Sequence, residues 1–432
     1  MAPQTLTAPT PTDTIAQRSL RKISWRLLPL LCGLYVIAFL DRQNISFATL
    51  SMQAEFGMSA TAFTLGQVVF FVAYALLEVP SNLALHRFGA RRWIARIMFT
   101  WGAITILTAL VSNSWQFYLA RFLLGAAEAG FYPGVLYYLS KWFPSSRRTA
   151  AIGVFMLAGP LATILGNPVL GMLDELGGTG GLQGWQWIFV VTGIPALLAV
   201  PLVLRRLPDS PERVSWLQDD EKAWLTGQLA LEAEAAGPQS GRPLAALRDR
   251  RVLALAGFYL CFTLATYGLG FWLPTIVSGF GHLSSGAVGV ISAAPFVCVA
   301  ASLVVVPMLA RRRGTPLGWI AALLCLAIAG FTLTASVDSP LLQMVGVTAG
   351  AVGSTASQPL VWTTIPRFLA GAAAAAGIAT VNAVGNLGGG FGPMGIGVIV
   401  DRTGSAVTGL VLLIGVCFVA LLATMGLRRM LP

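Results

Sequence analysis

The chain has 432 residues, of which 56% are hydrophobic and only 10% are charged. Soluble domains carry about 25% charged residues, so this composition excludes a soluble globular protein and predicts a polytopic membrane protein. The net charge of +11 does not indicate a nucleic-acid partner, because the basic residues lie mainly between the apolar runs.

Apolar runs bounded by charged residues, proline or glycine divide the chain into twelve predicted transmembrane helices. Each run is close to the roughly 20 residues that a helix needs to cross a bilayer. The first six lie near residues 26–48, 62–85, 93–112, 117–140, 150–173 and 186–205, and the last six near 252–277, 286–309, 316–335, 341–360, 371–400 and 405–427. The sequence therefore predicts an all-α membrane protein with two six-helix halves, residues 23–206 and 251–432.

Two segments lie outside the predicted spans. Residues 1–22 are polar and rich in Thr and Pro, so we predict a disordered cytoplasmic tail. Residues 207–250 form a predicted cytoplasmic linker, with a surface helix from Trp216 to about Ala236 whose charges we interpret as a solvated face. The five cysteines all fall inside spans, at spacings that suit neither a metal site nor a disulfide framework, which favours a packing role.

The basic residues set the predicted orientation, because Lys and Arg favour cytoplasmic loops. Of the 28 basic residues, 25 fall in the N-terminal tail, the linker, the C-terminus or the joins that follow spans two, four, eight and ten. Both termini are therefore predicted to be cytoplasmic.

Four ionisable residues interrupt the apolar spans of the first half. Asp41 and Arg42 lie in span one, and Arg121 and Glu128 lie in span four. A charge at the centre of a membrane helix costs on the order of 2.5–3.5 kcal/mol, so such residues are expected to face a protein interior or a water-filled path. A functional site is the leading hypothesis, and a buried structural ion pair is the alternative.

Helical spacing predicts where these side chains point. Arg121, Gly125, Glu128 and Tyr132 recur at positions that share one helix face. Two cations beside a cavity can bind an anion, and two carboxylates there can gain or lose protons. A desolvated carboxylate has a raised pKa and a carboxylate beside a cation has a lowered one, so anion binding and protonation can be coupled.

Several short motifs carry a resemblance to a known family. They are Leu40-Asp41-Arg42-Gln43-Asn44, Glu78-Val79-Pro80-Ser81-Asn82, Gly89-Ala90-Arg91-Arg92-Trp93, Arg121-Phe122-Leu123-Leu124-Gly125, Ala127-Glu128-Ala129-Gly130-Phe131-Tyr132-Pro133-Gly134 and Gly184-Trp185-Gln186-Trp187. With them the chain resembles the major facilitator superfamily, and within it the anion:cation symporter family of tartrate, phthalate and galactonate permeases. It departs at His86, where the superfamily usually has Asp, and at Arg311 and Thr315-Pro316 in the later loop.

The resemblance implies roles for individual residues. Asp41 and Glu128 would act in proton coupling, and Arg42 and Arg121 would serve the substrate carboxylate and the proton relay. Tyr74, Trp362 and Asn382 match positions that face the substrate in similar symporters. Interfacial packing is the alternative for Tyr74, and an interhelical hydrogen bond is the alternative for Asn382. For Glu78, near the end of span two, an ion pair with a loop arginine is the simpler expectation.

We therefore expect a secondary active transporter that imports a small organic acid anion by proton symport with alternating access. Protons would be the coupling ion, with no cofactor and no nucleic acid partner, in a monomer that crosses the inner (plasma) membrane many times. The alternatives are a proton-coupled drug or metabolite exporter and a non-transporting membrane receptor. Exporters tend to carry Gly-Pro-x-x-Gly-Gly in span five, whereas Thr163 and Ile164 follow Gly159-Pro160 here. An enzyme is not expected, because neither histidine lies beside a nucleophile inside a span.

Overall fold

The computed structural model describes residues 11–235, 250–312, 315–358, 360 and 380–430. Within these ranges all regular secondary structure is helical. The first half contains α1 (Pro11–Phe56), α2 (Ala60–Phe88), α3 (Ala90–Thr108), α4 (Ser114–Glu128), α5 (Phe131–Ser140), α6 (Ser145–Asp174) and α7 (Gly184–Arg206). Helix α8 (Asp219–Ala235) lies in the linker. The second half contains α9 (Arg250–Ser278), α10 (Ser285–Arg312), α11 (Pro316–Ser336), α12 (Pro340–Ala356), α13 (Gly388–Thr403) and α14 (Ala406–Met430).

Local sequence explains several helix boundaries. Ser59 and Asn113 are the N-caps of α2 and α4, where their side chains accept hydrogen bonds from the backbone N–H groups of Ala62 and Gln116. Helix α13 ends at Gly404, whose left-handed conformation (φ 69°) needs no Cβ. The short polar caps therefore divide the apolar sequence into separate helices.

Nine helical stretches in the described part of the chain are long and apolar enough to cross a membrane. The other three predicted spans correspond to α3, to α4 with α5, and to α12. Helix α3 begins with Arg91, Arg92 and Arg96, and α12 has 17 residues. The protein is thus a multi-pass membrane protein.

The two halves repeat one packing arrangement. In the first half α1 packs on α6, α2 on α4, and α3 on α7. The corresponding pairs in the second half are α9 with α13, α10 with α12, and α11 with α14. The halves meet where α6 packs on α10, α2 on α13, and α1 on α9. This relation is what a duplicated six-helix unit produces.

The two ends of the helix bundle differ in charge. We call one the basic end, because it carries Arg18, Arg91 and Arg148. The opposite end, the acidic end, carries Glu55, Asp174, Glu175 and Asp401. Helix α1 starts at the basic end, and α14 runs back toward it.

The structure differs from the sequence-based expectation at the N-terminus. Residues 11–22, assigned by sequence to a disordered tail, belong to the first turns of α1. Arg18 and Lys22 make ion pairs with Glu221 of α8 at 2.7 and 2.8 Å. These tertiary contacts join residues about 200 positions apart in sequence and hold a polar segment in helical form.

The linker helix also differs from expectation, because its acidic side chains are not simply a solvated face. The Glu221 side chain is fully buried against Arg18 and Lys22, whereas Asp219 is fully exposed. Nearby, Trp216 stacks on Trp142 with ring centroids 5.8 Å apart. The described part of the linker is therefore docked on the first half.

Span four is two helices, not one. Helix α4 ends at Glu128, and α5 begins at Phe131 after Gly130, whose φ of 86° is left-handed. The continuous helix on which the shared face of Arg121, Glu128 and Tyr132 was predicted is therefore interrupted. Tyr132 belongs to α5 and lies against Tyr35 of α1, with ring centroids 5.7 Å apart.

Candidate functional site

Asp41 and Arg42 occupy successive positions in the middle of α1, and their side chains diverge. Neighbouring residues of an α-helix point about 100° apart, so positions i and i+1 do not face each other. The two residues accordingly find different partners. The sequence-adjacent charges do not form the ion pair that their spacing suggested.

Arg42 makes its ion pair with the other span. Its Nε atom donates to Oε2 of Glu128, the last residue of α4, at 2.9 Å. The guanidinium also lies over the rings of Tyr74 and Phe70, 5.2 and 5.9 Å from their centroids. Glu128 is 2% exposed and Arg42 is 19% exposed, so this pair joins α1 to α4 with its arginine at the edge of an accessible space. It is a charge-assisted hydrogen bond with an aromatic wall.

Arg121 lies two helical turns before Glu128 on α4, and its hydrogen-bond partner is neutral. Its Nη2 atom donates to Oε1 of Gln67 on α2 at 2.5 Å, and its guanidinium lies 4.7 Å from the Phe70 centroid. The residue is 2% exposed, and its Nε atom has no hydrogen-bond partner among the residues that the structure describes. Arg121 is therefore a buried cation without a carboxylate within ion-pair distance among the described residues.

Asp41 is fully buried and has a different set of polar partners. Its Oδ1 atom accepts from Nδ2 of Asn44 at 3.0 Å, and the same amide reaches Thr192 of α7 at 3.4 Å. The indole N–H of Trp101 and the hydroxyl of Thr105, both on α3, lie beside the same carboxylate as further donors. Buried polar atoms are normally satisfied, and Asn44, Trp101 and Thr105 surround this carboxylate with donors.

The four charged residues form one cluster with spare hydrogen-bonding capacity. In the described part of the chain, the Nε atom of Arg121 and the Oε1 atom of Glu128 are buried without a hydrogen-bond partner. Two carboxylates and two guanidiniums balance formally. A proton on either carboxylate would give the cluster a net positive charge.

Tyr74 lies against the cluster, and its role in substrate binding stays a prediction. The Tyr74 side chain is 3% exposed and stacks on Phe70, with ring centroids 6.3 Å apart. The Arg42 guanidinium lies over its ring. Tyr35 and Tyr132 form a second aromatic layer with Phe155. The site wall is therefore aromatic on the α2 side and on the α5–α6 side.

The second half contributes neutral groups. The Tyr267 ring lies 5.4 Å from that of Phe71 on α2, and Gln358 donates to Thr266 at 3.1 Å. Asn382 is half-buried in the helical residues 380–386. Trp362 lies outside the described residues.

Glu78 does not have the partner that the sequence suggested. No ion pair between its carboxylate and a loop arginine is found in the described part of the chain, and its charged neighbour is Arg42. Sequence reasoning also missed Gln67 and Asn44, which hold Arg121 and Asp41. An amide inside an apolar span was the available signal for both, because unpaired amides are costly in lipid. The described residues contain no group of three or more His, Cys, Asp or Glu side chains placed to hold a metal ion.

The family comparison now decides the class. The family model described as Major Facilitator Superfamily matches residues 31–393. The chain belongs to the major facilitator superfamily. It is therefore a secondary transporter and not an enzyme.

Two relatives and one solved structure refine this membership. A candidate tartrate transporter of Agrobacterium vitis is 44% identical over 98% of this chain and 94% of its own. A quinolone resistance transporter of Acinetobacter baumannii is 43% identical over 94% of each chain. A bacterial homologue of the human lysosomal transporter Spinster, solved inward-facing and unoccupied, has a TM-score of 0.75 at 17% identity, covering 95% of this chain and 98% of that one. The last likeness shows the superfamily fold alone.

Proposed function

We propose that this superfamily member imports a small organic acid anion by proton symport. The observation that carries the proposal is the buried cluster of Asp41, Arg42, Arg121 and Glu128, in which Arg121 has no acidic partner among the described residues. Arg121 offers a cation and a free N–H to an anion, while Arg42 is already engaged by Glu128. The similarity to a candidate tartrate transporter supports a carboxylate as the anion.

Charge balance supplies the coupling. With both carboxylates ionised the cluster is neutral, and an anion would make it negative in a low-dielectric interior, which is unfavourable. One proton on Asp41 or Glu128 restores neutrality. Substrate binding and protonation therefore favour each other, and by linkage the effect is reciprocal.

The two halves would divide the work. The first half holds the charges, and the second half offers Tyr267, Gln358, Asn382 and Trp362 as neutral groups that select the rest of the substrate. Transport would be a rocking motion of the two halves about this site. The proposal also includes a monomeric protein with twelve spans in the inner membrane. Its basic end and both termini would face the cytoplasm, as the distribution of Lys and Arg favours.

Uptake by purified protein in liposomes tests the proposal. With tartrate and related sugar acids as probes, we expect accumulation that an inward proton gradient stimulates and a protonophore collapses, with no response to sodium. Arg121→Gln should reduce uptake at least tenfold, while Arg402→Gln, an arginine at the acidic end, should not. Sodium-dependent uptake at a fixed proton gradient, or native uptake by Arg121→Gln, would contradict the proposal.

The second candidate function is proton-driven drug export. The 43% identity to a quinolone resistance transporter favours it. The absence of a Gly-Gly pair after Gly159-Pro160 counts against it. The same liposomes distinguish the two, because export predicts fluoroquinolone movement against the proton flux and no competition by organic acids.

A further inference from the structure

A carboxylate of the second half caps a helix of the first half at the acidic end. Asp401, near the end of α13, accepts hydrogen bonds from the backbone N–H groups of Ala60 and Thr61 at 2.7 and 2.9 Å. These are the first residues of α2, whose leading N–H groups have no partner inside the helix. The positive end of the helix dipole also favours a carboxylate there.

The reverse contact occurs at the other inter-half boundary. Glu175, just after α6, accepts from the backbone N–H of Gly286 at 2.7 Å, and Asp174 accepts from the Ser285 hydroxyl at 2.7 Å. Both donors belong to the first turn of α10. Each half thus caps, with its own carboxylates, the start of a helix in the other half, in the symmetric positions of the duplicated fold.

The caps require the two halves to touch. A Cβ on Gly397 would lie 2.7 Å from the Thr64 hydroxyl oxygen and 3.0 Å from the Ala60 carbonyl. A Cβ on Gly171 would clash with the Ser285 carbonyl. The carboxylates reach the helix starts only because the backbones approach this closely, so separating the halves at this end must break both sets of bonds.

The capped helices do not need these carboxylates in order to form. Ser59 already caps α2 by accepting from Ala62 at 3.1 Å, and Ser284 caps α10 by accepting from Ala287 at 3.2 Å. The carboxylates take N–H groups that local serines leave free. Their contribution therefore falls mainly on the contact between the halves.

We propose that Asp401 and the Asp174–Glu175 pair are two matched latches that hold the acidic end closed and so set the balance between the two facing states. This inference rests on the proposed rocking transport. Opening the acidic end exposes Asp401 and the α2 start to water on one side, and Glu175 and the α10 start on the other. Because both latches hold the same end closed, loss of one should also make the other open more often.

The latches are separate from proton coupling. Glu175 lies beyond the end of α6, and hydrogen bonds from the Gly286 N–H and from Ser284 hold its pKa below the ordinary range. A lowered pKa favours the charged form, so the Glu175 latch is intact above the ordinary glutamate pKa and is lost only as the pH falls through the lowered one. Asp174 is its charged neighbour on the same helix end. The Glu175 latch should therefore stay closed across the neutral range in which coupling operates.

Hydrogen–deuterium exchange of the full-length protein at neutral pH tests the latches without any substrate or proton gradient. Asp401→Asn should raise amide exchange at the start of α2 and also at residues 286–289 of α10, at least threefold at each. Glu175→Gln should likewise raise exchange at the start of α10 and also at the start of α2. The matched control is Glu55→Gln, which removes a carboxylate at the same end. Glu55 accepts a hydrogen bond at 2.7 Å from the indole N–H of Trp185, which belongs to its own half.

Two results would overturn the latch proposal. One is that Asp401→Asn raises exchange only at the start of α2 and leaves residues 286–289 unchanged, which is what a purely local cap would give. The other is that Asp401→Glu, which keeps the charge, behaves like Asp401→Asn in a protein with native thermal stability. If the latches respond as proposed but proton-driven uptake is absent, the proposed substrate and coupling fail while the latches stand.

Discussion

At the residue scale, four charges form a site through crossed partners. Arg42 pairs with Glu128, Arg121 binds Gln67, and Asp41 binds Asn44. A buried ion pair contributes little net stability, because desolvation of two charges offsets their attraction. Structural stabilisation alone therefore does not account for four ionisable groups at this depth, which supports the proposed role of the cluster in anion binding and proton transfer.

Amide variants of the two carboxylates separate proton coupling from substrate binding. Asp41→Asn and Glu128→Gln imitate the protonated forms and leave both arginines in place. We expect folded proteins that still exchange internal for external substrate but accumulate it at least tenfold less, because no proton drives the return step. Exchange and accumulation of the same labelled acid in liposomes measure the two activities.

The control for these variants is Glu55→Gln, which removes a carboxylate far from the cluster and should keep accumulation. A purely structural role for Asp41 and Glu128 predicts instead low expression, because each variant leaves a buried cation uncompensated. Native accumulation by both variants would remove these residues from the mechanism.

At the scale of elements, the break between α4 and α5 places Glu128 at a helix end. Ala129 donates its N–H to the Gly125 carbonyl at 3.1 Å, and the chain then turns at Gly130 with φ 86°. Gly125 lets α4 approach α2, because a Cβ there would clash with the Phe70 carbonyl. The two glycines thus set the position from which Glu128 reaches Arg42.

Gly130→Ala should destabilise the protein more than a helix-surface substitution does. A left-handed conformation costs a residue with a Cβ on the order of 1–3 kcal/mol, and the new Cβ would meet the side chain of Ser81. We expect a lower unfolding temperature in a thermal-shift assay, with weaker uptake. Gly153→Ala is the matched control. An added Cβ there would meet no atom within 4 Å apart from its chain neighbours and its own helix backbone, and alanine has the higher helix propensity. Equal unfolding temperatures for the two variants would show that the turn is not strained.

At the scale of the whole molecule, the described part of the linker belongs to the first half. Besides the Glu221 contacts, Glu232 of α8 accepts from the Ser145 N–H at 2.6 Å and pairs with Arg148 at 3.0 Å at the start of α6. Asp209 accepts from the Arg91 N–H at 2.9 Å at the start of α3. The linker carboxylates therefore cap helices of one half, and this part of the linker should move with that half.

Docking of α8 should depend on pH through Glu221. Burial alone would raise the pKa of this carboxyl, but Lys22, the Gln218 N–H and Arg18 together hold it below the ordinary value. With a lowered pKa, docking is complete above the ordinary glutamate pKa of about 4.3 and is lost as the pH falls through the lowered value.

Amide exchange across α8 measures this docking. We expect amide protection to be constant from about pH 5.5 to 8, following the sign of the pKa shift. At neutral pH, Glu221→Gln should lower this protection. Glu234→Gln, at an exposed position of the same helix, should leave protection unchanged. Protection that falls as the pH rises would contradict the assigned sign.

The sequence by itself determined the class of protein. The length of the apolar runs, the charges confined to a few spans and the basic residues at one side are local features, and each has one physical reading in a bilayer. They predicted an all-helical membrane protein and identified Asp41, Arg42, Arg121 and Glu128 as candidate site residues, while the family resemblance added Tyr74. The family comparison then confirmed the superfamily.

Only the tertiary structure decided which of these residues meet. The Arg42–Glu128 pair, the Arg121–Gln67 contact and the Asp401 cap join residues 86, 54 and 341 positions apart, so no local periodicity could specify them. The helical residues 11–22 and the docked α8 likewise depend on contacts across about 200 positions. Sequence periodicity sets which face of a helix is polar, but the partner on that face is fixed by how the helices pack, and packing is a property of the whole chain.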